Sequence, residues 1–464
     1  MTIVSLNFLA FLLGAVACFH LPPPEWRPGL LFPATCLVFL VLVSPSAAGV
    51  AALLGFFAMV WLLLEMAIRN PGRHALAGVL AAVLLGFGWL KGYEFLRFLP
   101  LSSAVPATIG LSYILIRSIQ LVFDSVETPP ARLNPVTVFS FLMAWPCLVS
   151  GPIQRYQDFE RQLAGMTTFR LGREVVLRAM ERIIRGYFFV CVMGDATRGL
   201  WLGLKAIAFD GPHPLALGVS QAAFLFHLFF DFAGYTEIVI GAGYLFGLTL
   251  PENFNQPFRA RSFLEFWNRW HMTMSGFFKT YVFNPAALAL TRITPSPAWT
   301  IVCATAAFFA TFFLVGLWHG TTWAFVICGL MLGLGASVNY AYTTRLRAVL
   351  GRTRYDRLTS RLLYIAPATA FAFTYLCLSI TPLWMTVDEL SATLGRYGPA
   401  GLVLAEGVLF LVLLVTIPWW LKQDRAKRRP LWLSCTLMGA QLAAIQLYGF
   451  LFPATGGQFF YEQF

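Results

Sequence analysis

The chain has 464 residues, of which 58% are hydrophobic and 12% are charged, about half the charged fraction of soluble domains. Runs of about 18 or more apolar residues recur along it, which excludes an ordinary soluble protein. The net charge of +12 would suggest nucleic-acid binding in a soluble protein, but here the basic residues cluster in short segments between apolar runs, as the positive-inside rule expects. We therefore predict an all-α integral membrane protein, with residues 1–464 as one domain and no nucleic-acid partner.

The apolar runs predict membrane helices from one end of the chain to the other. The first run lacks the basic start and the small-residue cleavage site of a signal peptide, so we interpret it as a span. The predicted spans are 3–20, 30–43, 49–67, 75–90, 105–123, 186–204, 215–230, 232–248, 298–317, 322–342, 362–383, 400–421 and 431–452. With re-entrant or interfacial pieces included, we expect about 11–13 membrane helices.

The basic segments predict orientation. Segments 69–73, 155–185, 345–361 and 422–429 are rich in arginine and should be cytoplasmic. An ordinary crossing by the apolar stretch 136–149 would place segment 155–185 outside the cytoplasm. The stretch is also short, because as a helix it reaches only about 21 Å. We predict a re-entrant or interfacial piece there, ending in SGPIQRY. Broken backbone of this kind is tolerated in a membrane only when it is buried in protein or lines a wet cavity.

Segment 251–285 is too polar for a lipid-facing span and too aromatic for a free loop. At the helical period, one apolar face would consist of Phe263, Phe266, Trp267, Trp270, Met274, Phe277 and Tyr281. His271 would share a flank with Asn268 and Ser275, three residues before it and four after. This pattern predicts an amphipathic helix at the cytoplasmic interface or tucked into the helix bundle.

The run from Ile293 to Thr344 contains no Asp, Glu, Lys or Arg, and His319 lies near its midpoint. At roughly 20 residues per span, the run crosses a bilayer twice. His319 should therefore lie at a turn on the side opposite the two ends. It either caps a helix end at the interface, where Gly316 and Gly320 permit a tight turn, or acts as a general base that burial keeps neutral.

Other polar groups leave two interpretations open. His227 and Asp231 are four residues apart on one helical face, near Tyr235 and Glu237. Ionisable groups inside a span are functional candidates by default, but a polar contact that fixes helix packing is the alternative. The eight cysteines occur singly, without C-x-x-C spacing, so neither a disulfide framework nor a metal site is predicted.

Several segments together resemble one protein family. They are LVSGPIQRYQDFERQL, FDFAGYTEIVIGAGYLFGLTLPENFNQPF, RSFLEFWNRWHMTMSGFFKTYVF, LVGLWHGTTWAFVICGL and the terminal FFYEQF. They resemble the membrane-bound O-acyltransferase (MBOAT) family, in the bacterial branch with the teichoic-acid D-alanyl transfer protein and alginate O-acetyltransferase. The resemblance implies that His319 is the essential histidine and His271 the second one. It also implies a ring of helices around a central tunnel.

The implied activity is O-acyl transfer in the bacterial cytoplasmic membrane. An acetyl or D-alanyl group would pass from a thioester of CoA or an acyl carrier protein to a hydroxyl of an extracytoplasmic polysaccharide, directly or through a secreted or periplasmic partner. No cofactor would be bound permanently. Supporting residues would be Asn268, Trp267, Trp270, Ser275, Trp318, Gly320, Trp323 and Asp231.

Within this hypothesis, His271, Asn268 or backbone N–H groups near the glycines would stabilise the oxyanion. The tryptophans would wall the tunnel, or simply pack and anchor at the interface. The arginines of 345–361 and 422–429 would attract an acidic carrier or CoA phosphates, or set topology and contact anionic lipids. The competing function classes are a transporter or flippase of lipid-linked sugars and a non-catalytic scaffold for a secreted transferase.

Overall fold

The structure is a computed structural model, and it describes residues 3, 5–69, 73–94, 108–127, 133–293, 296–421 and 431–451. Within these ranges the secondary structure is helical, without a β-strand, which confirms the predicted all-α class. The α-helices are α1 (Leu6–His20), α2 (Phe32–Val43), α3 (Ala47–Arg69), α4 (Arg73–Lys91), α5 (Leu111–Glu127), α6 (Pro135–Leu142), α7 (Tyr156–Gly165), α8 (Arg173–Phe188), α9 (Asp195–Asp210), α10 (Pro214–Tyr244), α11 (Phe263–Trp267), α12 (Met272–Phe278), α13 (Asn284–Thr291), α14 (Pro297–His319), α15 (Trp323–Thr359), α16 (Leu362–Ile380), α17 (Val387–Leu421) and α18 (Leu431–Leu451).

Six of the described helices are long and apolar enough to cross a membrane. They contain the segments Ala47–Arg69, Pro214–Tyr244, Trp299–His319, Trp323–Thr359, Leu362–Leu383 and Val387–Ile417. Shorter apolar helices lie at Leu6–His20, Arg27–Val43, Ala77–Lys91, Pro135–Cys147 and Cys435–Leu451. The prediction of a polytopic membrane protein is confirmed, whereas the ring of helices and its tunnel stay predictions.

The two spans predicted at 215–230 and 232–248 are wrong, because α10 runs unbroken through both. The predicted boundary fell at residue 231, near the middle of this helix. Gly234 allows close packing on α8: a Cβ at Gly234 would lie 2.7 Å from the carbonyl oxygen of Gly186. Glycine here permits the close approach of two backbones rather than a reversal of the chain.

The chain divides into two compact units. Unit 1 consists of residues 1–192, 231–251 and 431–464, and unit 2 consists of residues 193–230 and 252–430. Helix α10 contributes to both units. The single-domain assignment stays a prediction. The basic segment 422–429 and the terminal FFYEQF, which entered the predictions above, lie outside the described residues.

Unit 1 contains the short segment that was predicted not to cross in the ordinary way. Helix α6 has only eight residues and is followed by a 3-10 turn at Trp145–Cys147, so the segment is short and irregular, while its re-entrant or interfacial placement stays a prediction. Buried Arg117 donates hydrogen bonds to the carbonyl oxygens of Phe141, Leu142 and Cys147, at 3.0, 2.9 and 2.6 Å. The last carbonyl groups of a helix have no hydrogen-bond donor within that helix. The Arg117 guanidinium therefore supplies donors to carbonyl oxygens where the regular helix ends.

Unit 2 contains the predicted hairpin. Helix α14 ends at His319, and α15 begins after the turn 320–322. The 23 residues of α14 span about 34 Å, enough to cross a bilayer core of roughly 30 Å. Glycines bring the two helices into backbone contact: a Cβ at Gly316 would lie 2.3 Å from the Cα of Gly329. The hairpin and the position of His319 at its turn are confirmed.

Candidate active site

The residues around His271 form two short helices rather than the single amphipathic helix predicted. Between α11 and α12, His271 has a φ of 44° and a ψ of 51°, a left-handed conformation uncommon outside glycine. The prediction of one continuous helix is therefore wrong. Helical periodicity in a sequence does not show where a single residue redirects the backbone. Most of the predicted apolar face is nevertheless buried, with at most 6% exposure at Phe263, Phe266, Trp267, Trp270, Met274 and Phe277. Tyr281, the last member, is only half-buried.

An extended segment that follows α10 holds His271 in place. The backbone N–H of Met272 donates to the carbonyl oxygen of Asn253, and that of Asn255 donates to the carbonyl oxygen of Arg269, both at 2.9 Å. The Nδ1 atom of His271 lies 3.2 Å from Oδ1 of Asn253. Both side chains are fully buried. Asn253 therefore fixes the backbone beside His271 and also the orientation of its ring.

The Asn253 oxygen also determines the tautomer of His271. It accepts hydrogen bonds from the backbone N–H and the hydroxyl of Thr273, at 3.3 and 2.8 Å, so it faces donors only. An amide oxygen cannot donate, and Nδ1 of His271 must therefore carry the proton, which leaves the lone pair of the neutral ring on Nε2. Burial and then the nearby His319 hold the pKa of His271 well below its ordinary value. His271 is thus a neutral hydrogen-bond acceptor at Nε2.

His319 is the last residue of α14 and is half-buried. The ring centroid of Trp318 lies 4.8 Å from that of His319 and 6.4 Å from that of His271. One indole thus lies beside both imidazoles. Gly320 ends the helix in an extended conformation, and a Cβ there would lie 2.2 Å from the ring of Phe325. The turn that carries His319 is fixed because the Phe325 ring packs directly on this glycine.

The other predicted tryptophans differ in their environment. The ring centroids of Trp267 and Phe312 lie 5.4 Å apart, and those of Trp270 and Phe254 lie 5.1 Å apart. Both indoles belong to the packed interior of unit 2. Trp323, in contrast, is 54% exposed at the start of α15. This exposure favours anchoring at an interface over a place in a tunnel wall for Trp323.

Asn268 and Ser275 do not share a flank with His271, contrary to the prediction. Asn268 is exposed at the end of α11, whereas His271 is buried. The Ser275 hydroxyl donates to the carbonyl oxygen of Trp270 at 3.4 Å. The break at His271 redirects the chain, so spacings of three and four residues across it do not bring side chains together.

His227 has surroundings of its own. Its Nδ1 atom lies 3.0 Å from the carbonyl oxygen of Gly194, and its ring stacks on Trp201 at a centroid distance of 5.7 Å. These contacts join His227 to Trp201 in α9 and to Gly194, the residue directly before α9.

Asp231 belongs to unit 1 and is buried, with 3% exposure. Its role stays a prediction. In the same unit, Glu237 forms ion pairs with Arg182 and Arg185 at 3.1 and 2.6 Å. These ion pairs between α8 and α10 favour a packing role for Glu237.

Asn253 is the residue of this site that sequence reasoning missed. It lies in the polar stretch LPENFNQPF, which contributed only to the resemblance. Its Nδ2 atom is buried and has no hydrogen-bond partner among the residues that the structure describes.

The chemistry open to the pair is that of two imidazoles. Among the described residues, no three His, Cys, Asp or Glu side chains converge in a group able to hold a metal ion. An imidazole close to a reacting hydroxyl can accept its proton and later return that proton to a leaving group. The pair therefore suits a reaction in which a proton passes from an attacking hydroxyl to a departing group.

Both histidines lie in a part of the chain that matches a known protein family. Residues 100–379, which include both histidines, match the model of MBOAT, the membrane-bound O-acyltransferase family. The chain is 30% identical over 229 residues to a teichoic acid D-alanyltransferase of Bacillus subtilis (strain 168), covering 48% of this chain and 56% of that protein. It is 30% identical over 230 residues to a peptidoglycan O-acetyltransferase of Helicobacter pylori, covering 47% and 41% of the two chains.

A probable alginate O-acetylase of Azotobacter vinelandii is 29% identical over 235 residues, which cover 50% of this chain and 44% of that protein. The chain thus spans about half the length of these three relatives. The family match is broader, because it extends over more than half of this chain. The chain belongs to the membrane-bound O-acyltransferase family.

Proposed function

We propose that this chain is an O-acyltransferase that moves an acetyl or D-alanyl group from a thioester to a hydroxyl of an extracytoplasmic glycopolymer, directly or through a partner protein. Family membership supports this proposal, as do relatives named for transfer to teichoic acid, peptidoglycan and alginate. The observation that carries it is the proximity of His271 and His319, with Trp318 beside both rings.

In the proposed reaction His319 is the general base. It accepts the hydroxyl proton while the hydroxyl oxygen attacks the thioester carbonyl, and a C–O bond forms in a tetrahedral adduct. The C–S bond then breaks, and the departing thiolate takes the proton from the imidazolium. The products are an ester and a free thiol. General-base assistance of this kind contributes roughly 10²–10⁴-fold to the rate.

His271 supports the reaction as an acceptor in this proposal. Its Nδ1 proton is engaged by Asn253, and the neutral ring offers a lone pair but no proton at Nε2. This argues against the earlier expectation that His271 donates to the oxyanion. The exposed position of Asn268 argues against the same role for that residue. Backbone N–H groups near Gly320 and the buried Nδ2 of Asn253 are the donors left to test.

The donor in this proposal is a thioester of CoA or of an acyl carrier protein that approaches from the cytoplasm, and the membrane is the bacterial inner membrane. The six arginines of 345–361 are all exposed. Their positive charge would raise the local concentration of an acidic carrier protein or of CoA phosphates. This is a rate effect that added salt would weaken.

The test uses membranes in which the wild-type chain or a variant replaces the natural copy. These membranes receive a thioester with a labelled acyl group, and labelled ester on the glycopolymer is measured by mass spectrometry. We expect His319→Ala to lower ester formation by roughly 10²–10⁴-fold at an unchanged amount of inserted protein. The exposed His74 supplies the matched control, His74→Ala, which should keep the wild-type rate.

Two outcomes would contradict the proposal. A wild-type rate in His319→Ala would remove the base assignment. Movement of a labelled sugar lipid without any new ester would favour the transporter class instead.

A further inference from the structure

A pocket of about 670 Å³ lies between α15 and α16, next to α11, within unit 2. Its apolar lining includes Leu334, Val338, Ala368, Phe371 and Ala372. Three of these, Leu334, Val338 and Phe371, are 51, 55 and 65% exposed. The pocket is therefore a groove that opens along the flanks of two predicted spans, and in a membrane that side faces lipid.

Apart from Tyr364 and Tyr375 on α16, the polar lining of the groove lies beside α11 and from Asn339 onward on α15. This lining includes Arg261, Ser262, Asn339, Thr343, Tyr355 and Thr359. Along α15, the lining passes from Leu334 to Tyr342, about 12 Å at the helical rise. It then includes Tyr355 and Thr359 in the arginine-rich segment, which follows a kink in the helix at Gly351. An apolar channel that ends in a polar rim matches an amphiphile with an acyl chain and a polar head.

The charge of the rim is positive. The Arg261 side chain is exposed, and within the described ranges no ion pair neutralises it. Of the six arginines in 345–361, only Arg352 has an ion pair among the described residues, at 4.0 Å to Asp356. The one acidic lining residue, Glu265, is paired with Arg269 at 3.0 Å. The rim itself thus contains one guanidinium, that of Arg261, and the exposed arginines of 345–361 lie in the same segment as its lining residues Tyr355 and Thr359. Guanidinium groups attract phosphate head groups at a membrane surface.

The walls of the groove are held by specific hydrogen bonds. The Tyr375 hydroxyl donates to the carbonyl oxygen of Met331 at 2.7 Å, which ties α16 to α15. The Asn339 side-chain oxygen accepts from the backbone N–H of Leu264 at 3.3 Å, which ties α15 to α11. Both bonds join separate helices, so the groove is part of the packed structure.

We propose that this groove binds one anionic phospholipid. Its acyl chain lies along Leu334, Val338 and Phe371, and its phosphate is bound by Arg261 and the arginines that follow Tyr355. The occupant thus contacts α11, the helix that leads to His271. The proposal stands independently of acyl transfer.

A lipid fits the groove better than a soluble thioester donor does. The apolar lining is open sideways, where hydrocarbon surrounds the protein, and a water-soluble donor has no access from that direction. Coenzyme A nevertheless also carries phosphates that the same arginines would attract. The experiment must therefore separate the two occupants.

The experiment measures lipid retention by native mass spectrometry after the full-length protein is exchanged into an equal mixture of phosphatidylglycerol and phosphatidylcholine. Wild-type protein should retain one phosphatidylglycerol in preference. Val338→Trp fills the groove and should abolish this retention. Arg261→Gln should weaken it about fivefold, the equivalent of ~1 kcal/mol for one guanidinium near a membrane surface.

Each variant has a matched control outside the groove. Leu330 is on the same helix as Val338 and is 45% exposed, so Leu330→Trp tests the addition of an indole elsewhere. Arg292 is likewise an exposed arginine, and Arg292→Gln tests the loss of a charge elsewhere. Both controls should retain phosphatidylglycerol as the wild type does.

Equal retention of the two lipids by the wild type would overturn the proposal, as would unchanged retention in either folded groove variant. Displacement of phosphatidylglycerol by added coenzyme A would assign the groove to the donor and would also overturn it. Because retention is measured without acyl transfer, failure here leaves the proposed enzymatic function untouched.

Discussion

The two units of this protein bury nitrogen-containing side chains for opposite purposes. In unit 1, Arg117 and Arg27 are 2 and 6% exposed, and each donates hydrogen bonds to three backbone carbonyls. In unit 2, His271 is fully buried and uses only Nδ1 as a donor in its bond to Asn253. A guanidinium always stays charged and can only donate, whereas a buried imidazole loses its proton and remains a base. The first arrangement stabilises backbone, and the second retains a reactive lone pair.

The bonds of Arg27 show the structural use clearly. Its guanidinium donates to the carbonyl oxygen of Phe19 near the end of α1 at 3.1 Å, and to those of Met166 and Phe169 after α7 at 3.2 and 2.8 Å. Carbonyls at helix C-termini carry a partial negative charge and lack helical partners. A buried cation at such a position is satisfied without an acidic neighbour.

The largest expected effect on stability is at Arg117. Arg117→Met keeps an apolar stem of similar length but removes the described donor of the Leu142 and Cys147 carbonyls, at about 1–3 kcal/mol for each unmet group, whereas the Phe141 carbonyl still accepts from the backbone N–H of Ala144. We expect much less protein to accumulate, and the surviving fraction to aggregate at a lower temperature. The measurement is the monodisperse fraction after heating in detergent, by size-exclusion chromatography.

Arg292→Met, at an exposed arginine, serves as the control for Arg117→Met and should behave as the wild type does. Wild-type thermal stability in Arg117→Met would break the comparison, because unit 1 would then not depend on its buried cation.

The next largest effect tests the other half of the comparison. Asn253→Leu keeps the branched arrangement of heavy atoms but cannot orient His271, so we expect acyl transfer to fall about tenfold, or ~1.4 kcal/mol in the barrier. The exposed Asn255 interacts through its backbone, and Asn255→Leu is the matched control. Ester formation per inserted molecule is the measurement. Equal rates in the two variants would show that the orientation of His271 does not matter.

The pH dependence of the site sharpens the same point. In the wild type, His271 has a lowered pKa and stays neutral as the pH falls through its ordinary value. Asn253→Asp places a carboxylate opposite Nδ1, which stabilises the imidazolium and raises the pKa of His271. The protonated ring has no lone pair at Nε2. The variant should therefore lose activity as the pH falls through the raised pKa, and regain it at higher pH.

Profiles of kcat/KM between about pH 5.5 and 8.5 check this expectation, since they report the pKa values of groups in the free enzyme. Parallel profiles for the wild type and Asn253→Asp would contradict an acceptor role for His271.

The hairpin could be predicted from sequence because its signals are local. An uncharged run of sufficient length and the glycines on both sides of His319 determine two helices and a turn. Helix α10 was wrongly divided at residue 231, and Gly234, three residues later, is compatible in sequence with a turn as well as with a close helix contact. Only the tertiary partner, Gly186, distinguishes the two cases.

The site itself was only half predictable. The two histidines entered through a family resemblance, and periodicity then assigned neighbours to His271 that the structure separates from it. The left-handed backbone at His271 depends on Asn253, which is 18 residues away in sequence. Hydrogen bonds between residues so far apart in sequence leave no periodic pattern, so neither the break in the helix nor the tautomer could be predicted from periodicity.

The smallest expected effects separate two tryptophans that the sequence treated alike. Trp318 is 7% exposed and lies beside both imidazoles, whereas Trp323 is 54% exposed. Trp318→Ala should lower acyl transfer about fivefold, because aromatic contacts of ~0.5–1.5 kcal/mol that position the rings are lost. Trp323→Ala should stay within about twofold of the wild type, as most surface substitutions do. Ester formation at equal amounts of inserted protein measures both, and Trp318→Phe should recover part of the loss. A larger effect at Trp323 than at Trp318 would return Trp323 to the tunnel wall and would mean that exposure is a poor guide to function at this turn.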